Sequence, residues 1–449
     1  MSRLVGMIIT LAALLALLVG LSWAFYLAAA GVATLFVAAG LPPEFGVAVA
    51  NLLTLMLVVL MISASLLTVA ERKWAALIQN RIGANRIRVF GSALGGIPFL
   101  IADALKMLTK EPMRPESASR FLFNIAPVLS FAPVFALFAI IPIGPALPLR
   151  SILDAPGALG QVAVSLQIAS PDAGLLYLFA ISSLAVYGTS LAGWASNSKL
   201  GLLGAVRASS QMISYEVSLG LSLVGTMIAF RTLRLEEMVV QQGQAVLGPV
   251  PALGLLLQPV GFLVFFASAF AETKRAPFDL PEGESEIVGY NVEYSGMQWG
   301  LMFLAEFVEI VILGAVITAV FLGGWHPILF EGWLKANLRP LPFAAICGGA
   351  FLAKMIVVMW LQMTIRWLLP RFRYDQIQAL CWKILLPVSI ANVFVTGAAV
   401  LLDPSLRLLA WLGVVILVVI GALVAAAGRT PAAEAGEHGE HAAHVAAGH

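Results

Sequence analysis

The sequence predicts an all-α fold, a polytopic bundle of about ten membrane-spanning helices with one amphipathic helix at the interface. Three observations predict it. Of the 449 residues, 60% are hydrophobic and 11% charged, where a soluble domain carries roughly 25% charged residues. The apolar residues fall in runs long enough to cross a hydrocarbon core, which takes about 20 residues of helix. Between the runs stand proline, glycine and charge, as at Pro42–Glu44, Pro142–Pro148 and Asp403-Pro404.

In order along the chain, the expected spans are 4–38, 47–70, 119–141, 173–195, 205–230, 253–272, 298–323, 343–367, 383–402 and 406–427. Each satisfies its backbone polar groups within its own helix, as the bilayer requires. The amphipathic element is Ile97–Leu108, where Ile97, Leu100, Ile101, Leu105 and Leu108 recur at helical spacing and Asp103 and Lys106 lie elsewhere on the wheel. By itself that pattern describes an interfacial anchor. The chain divides into an additional N-terminal helix and loop (1–46), a core (47–402), an additional C-terminal helix (403–428) and an Ala/Gly/Glu/His-rich tail (429–449) expected to be disordered.

Basic residues set the orientation. The loop 71–118 holds Arg72, Lys73, Arg81, Arg86, Arg88, Lys106, Lys110 and Arg114, which marks it as cytoplasmic. Alternation then places the 272–297 loop and Arg366, Arg371, Arg373 and Lys383 on that side, with both termini. Arg3 before the first apolar run and Ala28-Ala29-Ala30 after it would also suit a cleaved leader. The run is long for a leader and reads as an uncut helix.

Composition excludes several functions. A net charge of +2 without a basic stripe gives nothing for nucleic acid to bind. Cys347 and Cys381 lie far apart in apolar stretches and read as buried thiols. His438, His441, His444 and His449 lie in the tail and His326 in a loop. The tail histidines could hold a metal weakly, though a solvated tail is the plainer reading. Haem or iron–sulfur ligation within the spans would need histidines or grouped cysteines there, so no metal or redox cofactor is expected on this chain.

Charges inside spans cost at least about 2.5–3.5 kcal/mol each at the bilayer centre, and this chain has several. Glu216 lies in the 205–230 run, Glu306 and Glu309 share one face of the 298–323 run, and Lys354 sits near the middle of 343–367. One reading is a buried ion pair of Lys354 with Glu309 or Glu216 that locks helices. The excess of carboxylates over that lysine favours the other, a proton path. The 272–293 loop then adds Glu272, Asp279, Glu282, Glu284, Glu286 and Glu293 against Lys274 and Arg275, an acidic loop on the basic side. Apolar stretches interleave these charges, which favours burial or docking over free solvation.

At these residues the sequence becomes specific. The stretch E-T-K-R-A-P-F-D-L-P-E-G-E-S-E-I-V at 272–288 and Y-N-V-E-Y-S at 290–295 resemble the signature of the H subunit of the NADH:quinone oxidoreductase (respiratory complex I) family. So do E-R-K at 71–73, R-I-G-A-N-R at 81–86, I-A-D-A-L-K-M-L-T-K-E-P at 101–112, G-W-A-S-N-S-K at 193–199, Q-M-I-S-Y-E-V at 211–217 and P-R-F-R-Y-D-Q at 370–376. The ordered match covers about 47–402. Lys274 departs from the Asn common in the family, and Ala84 from its Pro.

The resemblance implies a membrane subunit that forms much of the quinone chamber and couples quinone reduction to proton translocation. Ubiquinone or menaquinone would be the substrate, and iron–sulfur subunits of the peripheral arm the electron donors. Other membrane-arm subunits and the lipid of a bacterial inner membrane would surround it. It implies Arg72, Asp103, Lys106, Arg275, Phe278 and Asp279 as chamber and entrance residues. It implies Glu216, Glu272, Glu282, Glu284, Glu286, Glu293 and Glu306 as the proton-path carboxylates, and it sets the amphipathic helix at the entrance. Two alternatives stand beside it: a related subunit of a hydrogenase-type complex, and a self-standing cation/proton antiporter.

Overall fold

In the computed structural model, residues 2–87, 94–153, 160–248, 250–281, 289–328 and 331–427 are described. They form a helical bundle. Its elements are α1 (Ser2–Ala38), α2 (Pro43–Ile78), α3 (Ile97–Thr109), α4 (Arg120–Ile140), α5 (Gly174–Ala195), α6 (Lys199–Phe230), α7 (Leu235–Gln242), α8 (Gly254–Leu257), α9 (Pro259–Glu272), α10 (Gly296–Phe321), α11 (Pro340–Leu368), α12 (Tyr374–Leu402) and α13 (Arg407–Ala427). Among the described residues nine helices are long and apolar enough to cross a membrane, and α9 is a shorter apolar one. Two small antiparallel hairpins, Leu147–Pro148 with Ala163–Val164 and Ala245–Leu247 with Val250–Pro251, trim the loops. The tail from 428 lies outside the described residues.

The most enclosed span is α10, with α2, α4 and α11 packed around it. α1 lies along α11 and the start of α2. α5 comes so close to α4 that a Cβ at Gly188 would collide with Ser130, a use of glycine suited to packing without a hydrophobic drive between helices.

Two expectations are corrected. The expected span 253–272 is not one helix. Pro259 has no N–H to give and pushes its predecessor out of the helical region, so Gln258 sits at φ −135° and ψ 59° between α8 and α9. Its buried side chain fills the break, donating to Thr396 Oγ1 at 2.7 Å and accepting from Asn392 Nδ2 at 2.8 Å. Helices also outrun their apolar cores into the polar zone. α2 continues to Ile78, which puts Glu71, Arg72 and Lys73 on a helix rather than in a loop.

Lys354 is paired with no carboxylate among the described residues. Its Nζ donates to the carbonyls of Leu322 (2.7 Å), Gly324 (3.0 Å) and His326 (2.7 Å), at and just beyond the C-terminal end of α10. These carbonyls belong to the turn that follows α10, where no helical N–H is left to serve them. The lysine therefore pins the turn after α10 and does not form the helix-locking ion pair.

The connections fall into two groups. One end of the bundle gathers α3, the segment after α9 and the start of α12: Phe372 N donates to Pro277 O at 3.0 Å, and Ser295 Oγ to Glu111 O at 3.2 Å. The other end holds the two hairpins, α7 and the 403–406 turn. There the Ser405 hydroxyl, with the N–H groups of Leu408 and Ser405, holds the Asp403 carboxyl below its usual range as it starts α13.

Replacing Lys354 by Met is expected to lower the heat-denaturation midpoint of the detergent-solubilised protein. It leaves buried carbonyls without a donor, at about 1–3 kcal/mol for each one unsatisfied. An unchanged midpoint would show that these three bonds carry no stability.

Candidate functional site

The site starts from a buried arginine. After α9 the backbone turns through Lys274, which takes a left-handed φ of 55°, and Arg275 points back into the bundle with only 7% of its surface exposed. A guanidinium there needs counter-charge. Arg275 Nη2 lies 3.2 Å from Glu306 Oε2 on α10, and Nη1 lies 3.7 Å from Glu71 Oε2 on α2. Glu71 also pairs with Arg366 of α11. The Arg275 guanidinium lies over Phe307, 4.3 Å from the ring centroid, and the Tyr290 hydroxyl donates to Glu306 at 3.4 Å. Four elements thus converge on one charge cluster.

Three cavities meet beside it. The first, about 420 Å³, is bordered by Glu71, Arg72, Arg275, Arg366, Phe303 and Phe307. The second, about 340 Å³, is bordered by Arg72, Asp103, Lys106, Lys110, Tyr294 and Trp299. The third, about 190 Å³ and mostly apolar, lies between α2, α3 and α10 against Leu100, Ala104, Met107, Leu108, Gly300 and Leu304. Arg72 and Phe303 border all three. Trp299, Phe303 and Phe307 follow at i, i+4 and i+8 on α10. Their ring centroids are 4.8 Å and 4.9 Å apart, which makes one aromatic wall.

The amphipathic α3 closes this region. Arg72 Nη2 meets Asp103 Oδ2 at 2.9 Å, which ties α3 to α2. Its far end seats on α10 through glycine. Gly296 has φ +59°, and a Cβ at Gly300 would stand 2.9 Å from Met107 Sδ.

Deeper in the bundle lies a second group of acids. Glu272 and Glu309 border a small cavity of about 20 Å³ that Ser182 also borders. Glu216 accepts from Ser183 Oγ at 2.5 Å and from Ser182 Oγ at 3.5 Å. Glu309 is one turn beyond Glu306 on α10. The acids therefore follow one another from the cavities toward Glu216, with α10 and Ser182 between them.

Of the residues singled out by sequence, Arg72, Asp103, Lys106 and Arg275 border the three cavities, and Glu306 lies behind Arg275. Phe278 and Asp279 border none of the three. Phe278 is buried against Tyr215 and Phe372, each with its ring centroid 5.6 Å away. Glu293 is half-buried just before α10 and borders none of the three either. Glu282, Glu284 and Glu286 lie outside the described residues. In the acidic loop, Glu272 to Arg275, Phe278 and Leu280 are buried, so this part is packed into the protein. Glu71, Arg366, Phe303 and Phe307 do not stand out in the sequence as site residues. Glu71 offered a signal, a lone acid one turn past an apolar run; the two phenylalanines look like any others in a span.

A family model described as NADH dehydrogenase matches residues 50–397. The chain is 42% identical over 350 residues to the NADH-quinone oxidoreductase H subunit 2 of Syntrophobacter fumaroxidans, covering 78% of this chain and 95% of that protein. It is 40% identical over 346 residues to the NADH-quinone oxidoreductase H subunit 2 of Geobacter sulfurreducens, covering 77% and 94%. With the NADH-quinone oxidoreductase H subunit 1 of Cytophaga hutchinsonii it shares 39% identity over 365 residues, covering 81% and 99%.

Glu71→Gln is expected to destabilise the protein by about 3–5 kcal/mol, because it leaves buried arginine charge uncompensated. Adding Arg366→Met should recover part of that loss. Denaturation of the single and double variants measures the coupling, and strictly additive losses would contradict it.

Proposed function

The chain belongs to the NADH dehydrogenase family, as a membrane protein of the H-subunit type in NADH-quinone oxidoreductase (complex I), and from that premise we propose how its residues serve the reaction. The joined cavities form much of the quinone chamber, and the buried carboxylates couple quinone reduction to proton translocation. The observation that carries the reading is the meeting of an apolar cavity, an aromatic wall and a buried ion cluster at Arg72 and Phe303. A quinone has a flat ring with two acceptor oxygens and a long apolar tail. The apolar cavity against α3 suits the tail, and Trp299, Phe303 and Phe307 offer the ring a face to stack on.

Reduction adds two electrons to the quinone and calls for two protons to complete the quinol. The chain is read as holding no redox cofactor of its own, so iron–sulfur subunits of the peripheral arm deliver the electrons. Negative charge appearing on the ring attracts Arg275 and Arg366. Any movement of either guanidinium toward it weakens the pairing of Glu71 or Glu306 and makes that carboxylate a better proton acceptor. Glu309, Glu272 and Glu216 continue the polar series away from the cavities, with the Ser182 and Ser183 hydroxyls beside them. Arg72, Asp103 and Lys106 shape the entrance, and Phe278 and Asp279 help hold the Arg275 turn. Glu282, Glu284, Glu286 and Glu293 belong to the same acidic loop. The basic side of the bundle faces the cytoplasm of a bacterial inner membrane, with both termini there, and the segments 1–46 and 403–428 stand outside the quinone-site core 47–402.

The test uses the purified complex. Co-elution of this chain with iron–sulfur subunits and NADH-dependent quinone reduction are expected, and cation or proton transport by this chain alone would overturn the reading. Glu216→Gln and Glu306→Gln should leave the complex assembled and lower coupled turnover by about tenfold or more. Wild-type quinone reduction and proton pumping in both variants would refute the proton path.

A further inference from the structure

One polar group at the edge of the ion cluster has no part in the quinone reading. Gln362 lies on α11, one turn before Arg366, with 6% of its surface exposed. Its Oε1 is buried and has no hydrogen-bond partner among the described residues. The side chain borders a small cavity of about 10 Å³, together with Glu71, Thr273, Arg275 and Arg366. Arg275 Nε is likewise buried without an acceptor among the described residues. The Thr273 hydroxyl donates to Phe270 O at 2.8 Å and keeps its lone pairs for a donor.

A buried amide oxygen without a donor costs about 1–3 kcal/mol of desolvation, and native proteins rarely leave such a group unserved. A volume of about 10–15 Å³ with two to four polar partners is what one ordered water requires. Here the cavity has that size and the partners are complementary. We propose that this cavity is a binding site for a single ordered water that joins Gln362 to the Arg275–Glu71–Arg366 cluster. The water donates to Gln362 Oε1 and accepts from Arg275 Nε–H, and its second hydrogen is directed to Thr273 Oγ1 or Glu71. Exchange of the amide's oxygen and nitrogen would reverse one hydrogen bond and keep the site.

Gln362 then acts as a positioning residue. It touches no substrate cavity; none of the three quinone-side cavities includes it. Through the water it fixes the Nε edge of the guanidinium whose other edge faces Glu71 and Glu306. The polar series thereby gains a branch on the α11 side, where a hydroxyl-like group can pass a proton without moving a helix. The kinetic consequence rests on the quinone reading; the water does not.

High-resolution cryo-electron microscopy of the intact complex tests the site directly. One isolated density peak within hydrogen-bond distance of Gln362, Arg275 and Thr273 is expected, lost in Gln362→Met, which keeps the shape and removes the acceptor. In the same complexes, NADH-dependent turnover should fall by roughly two- to tenfold in Gln362→Met, with the KM for quinone unchanged and the pH profile displaced. No peak in the wild type at a resolution that shows other buried waters, or the same peak in Gln362→Met, overturns the proposal, as does direct contact of Gln362 with either arginine. An unchanged pH profile with the peak lost would overturn the positioning role. Absence of any NADH-dependent quinone reduction in the wild type would count against the proposed function and leave the water site to its density.

Discussion

An arginine buried among membrane helices has to bring its counter-charges with it, and much of the site depends on how Arg275 does so. Its two terminal nitrogens reach Glu71 on α2 and Glu306 on α10, its face lies on Phe307, and Arg366 of α11 shares Glu71. Isolated ions in such surroundings cost several kcal/mol each even after relaxation. The cluster is therefore stable only while α2, α10, α11 and the turn after α9 hold together. The same condition puts it beside cavities. Long side chains that meet head to head leave space flanking their contact, and that space is bordered by Arg72 and Phe303.

The amphipathic helix gains its place from two contacts of different kinds. One is charged, Arg72 with Asp103, at an edge that is partly exposed and so worth little as stability. The other is steric, the glycines of α10 that let Met107 and Lys110 approach. Between them α3 covers an apolar cavity while turning Ile97, Ile101 and Leu105 outward. An anchor would need only the outward face. The inward face, with Asp103 and Lys106 against cavities, separates this helix from a simple interfacial one, and the sequence wheel by itself held both readings.

What the sequence makes legible follows from which forces act locally. Hydrocarbon thickness acts on runs of residues, so the spans, the amphipathic helix and the deep acids are readable from composition and period. Pairing acts across the bundle and is not. Lys354 looks like the partner of a buried carboxylate, yet it serves three carbonyls of the turn after α10, because backbone acceptors left open by a turn enter no side-chain count. Arg366 and Glu71 stand far apart in the chain and carry no mutual signal. Phe278, implied by motif as a chamber residue, packs instead with Tyr215 and Phe372, since an aromatic ring within a motif has the same composition whether it borders a cavity or fills a core.

The end of α9 sets where the acidic loop turns into the protein. α9 has 14 residues, or about 21 Å of helix, which falls short of the roughly 30 Å hydrocarbon core. Because α9 ends at Glu272, the chain turns while still inside the bundle, and Thr273, Lys274, Arg275, Phe278 and Leu280 are buried there. Glu272 then borders a cavity with Glu309 rather than water, and Arg275 reaches Glu306 rather than solvent. The acidic segment is packed into the protein, and not laid on its surface, from the residue at which α9 ends.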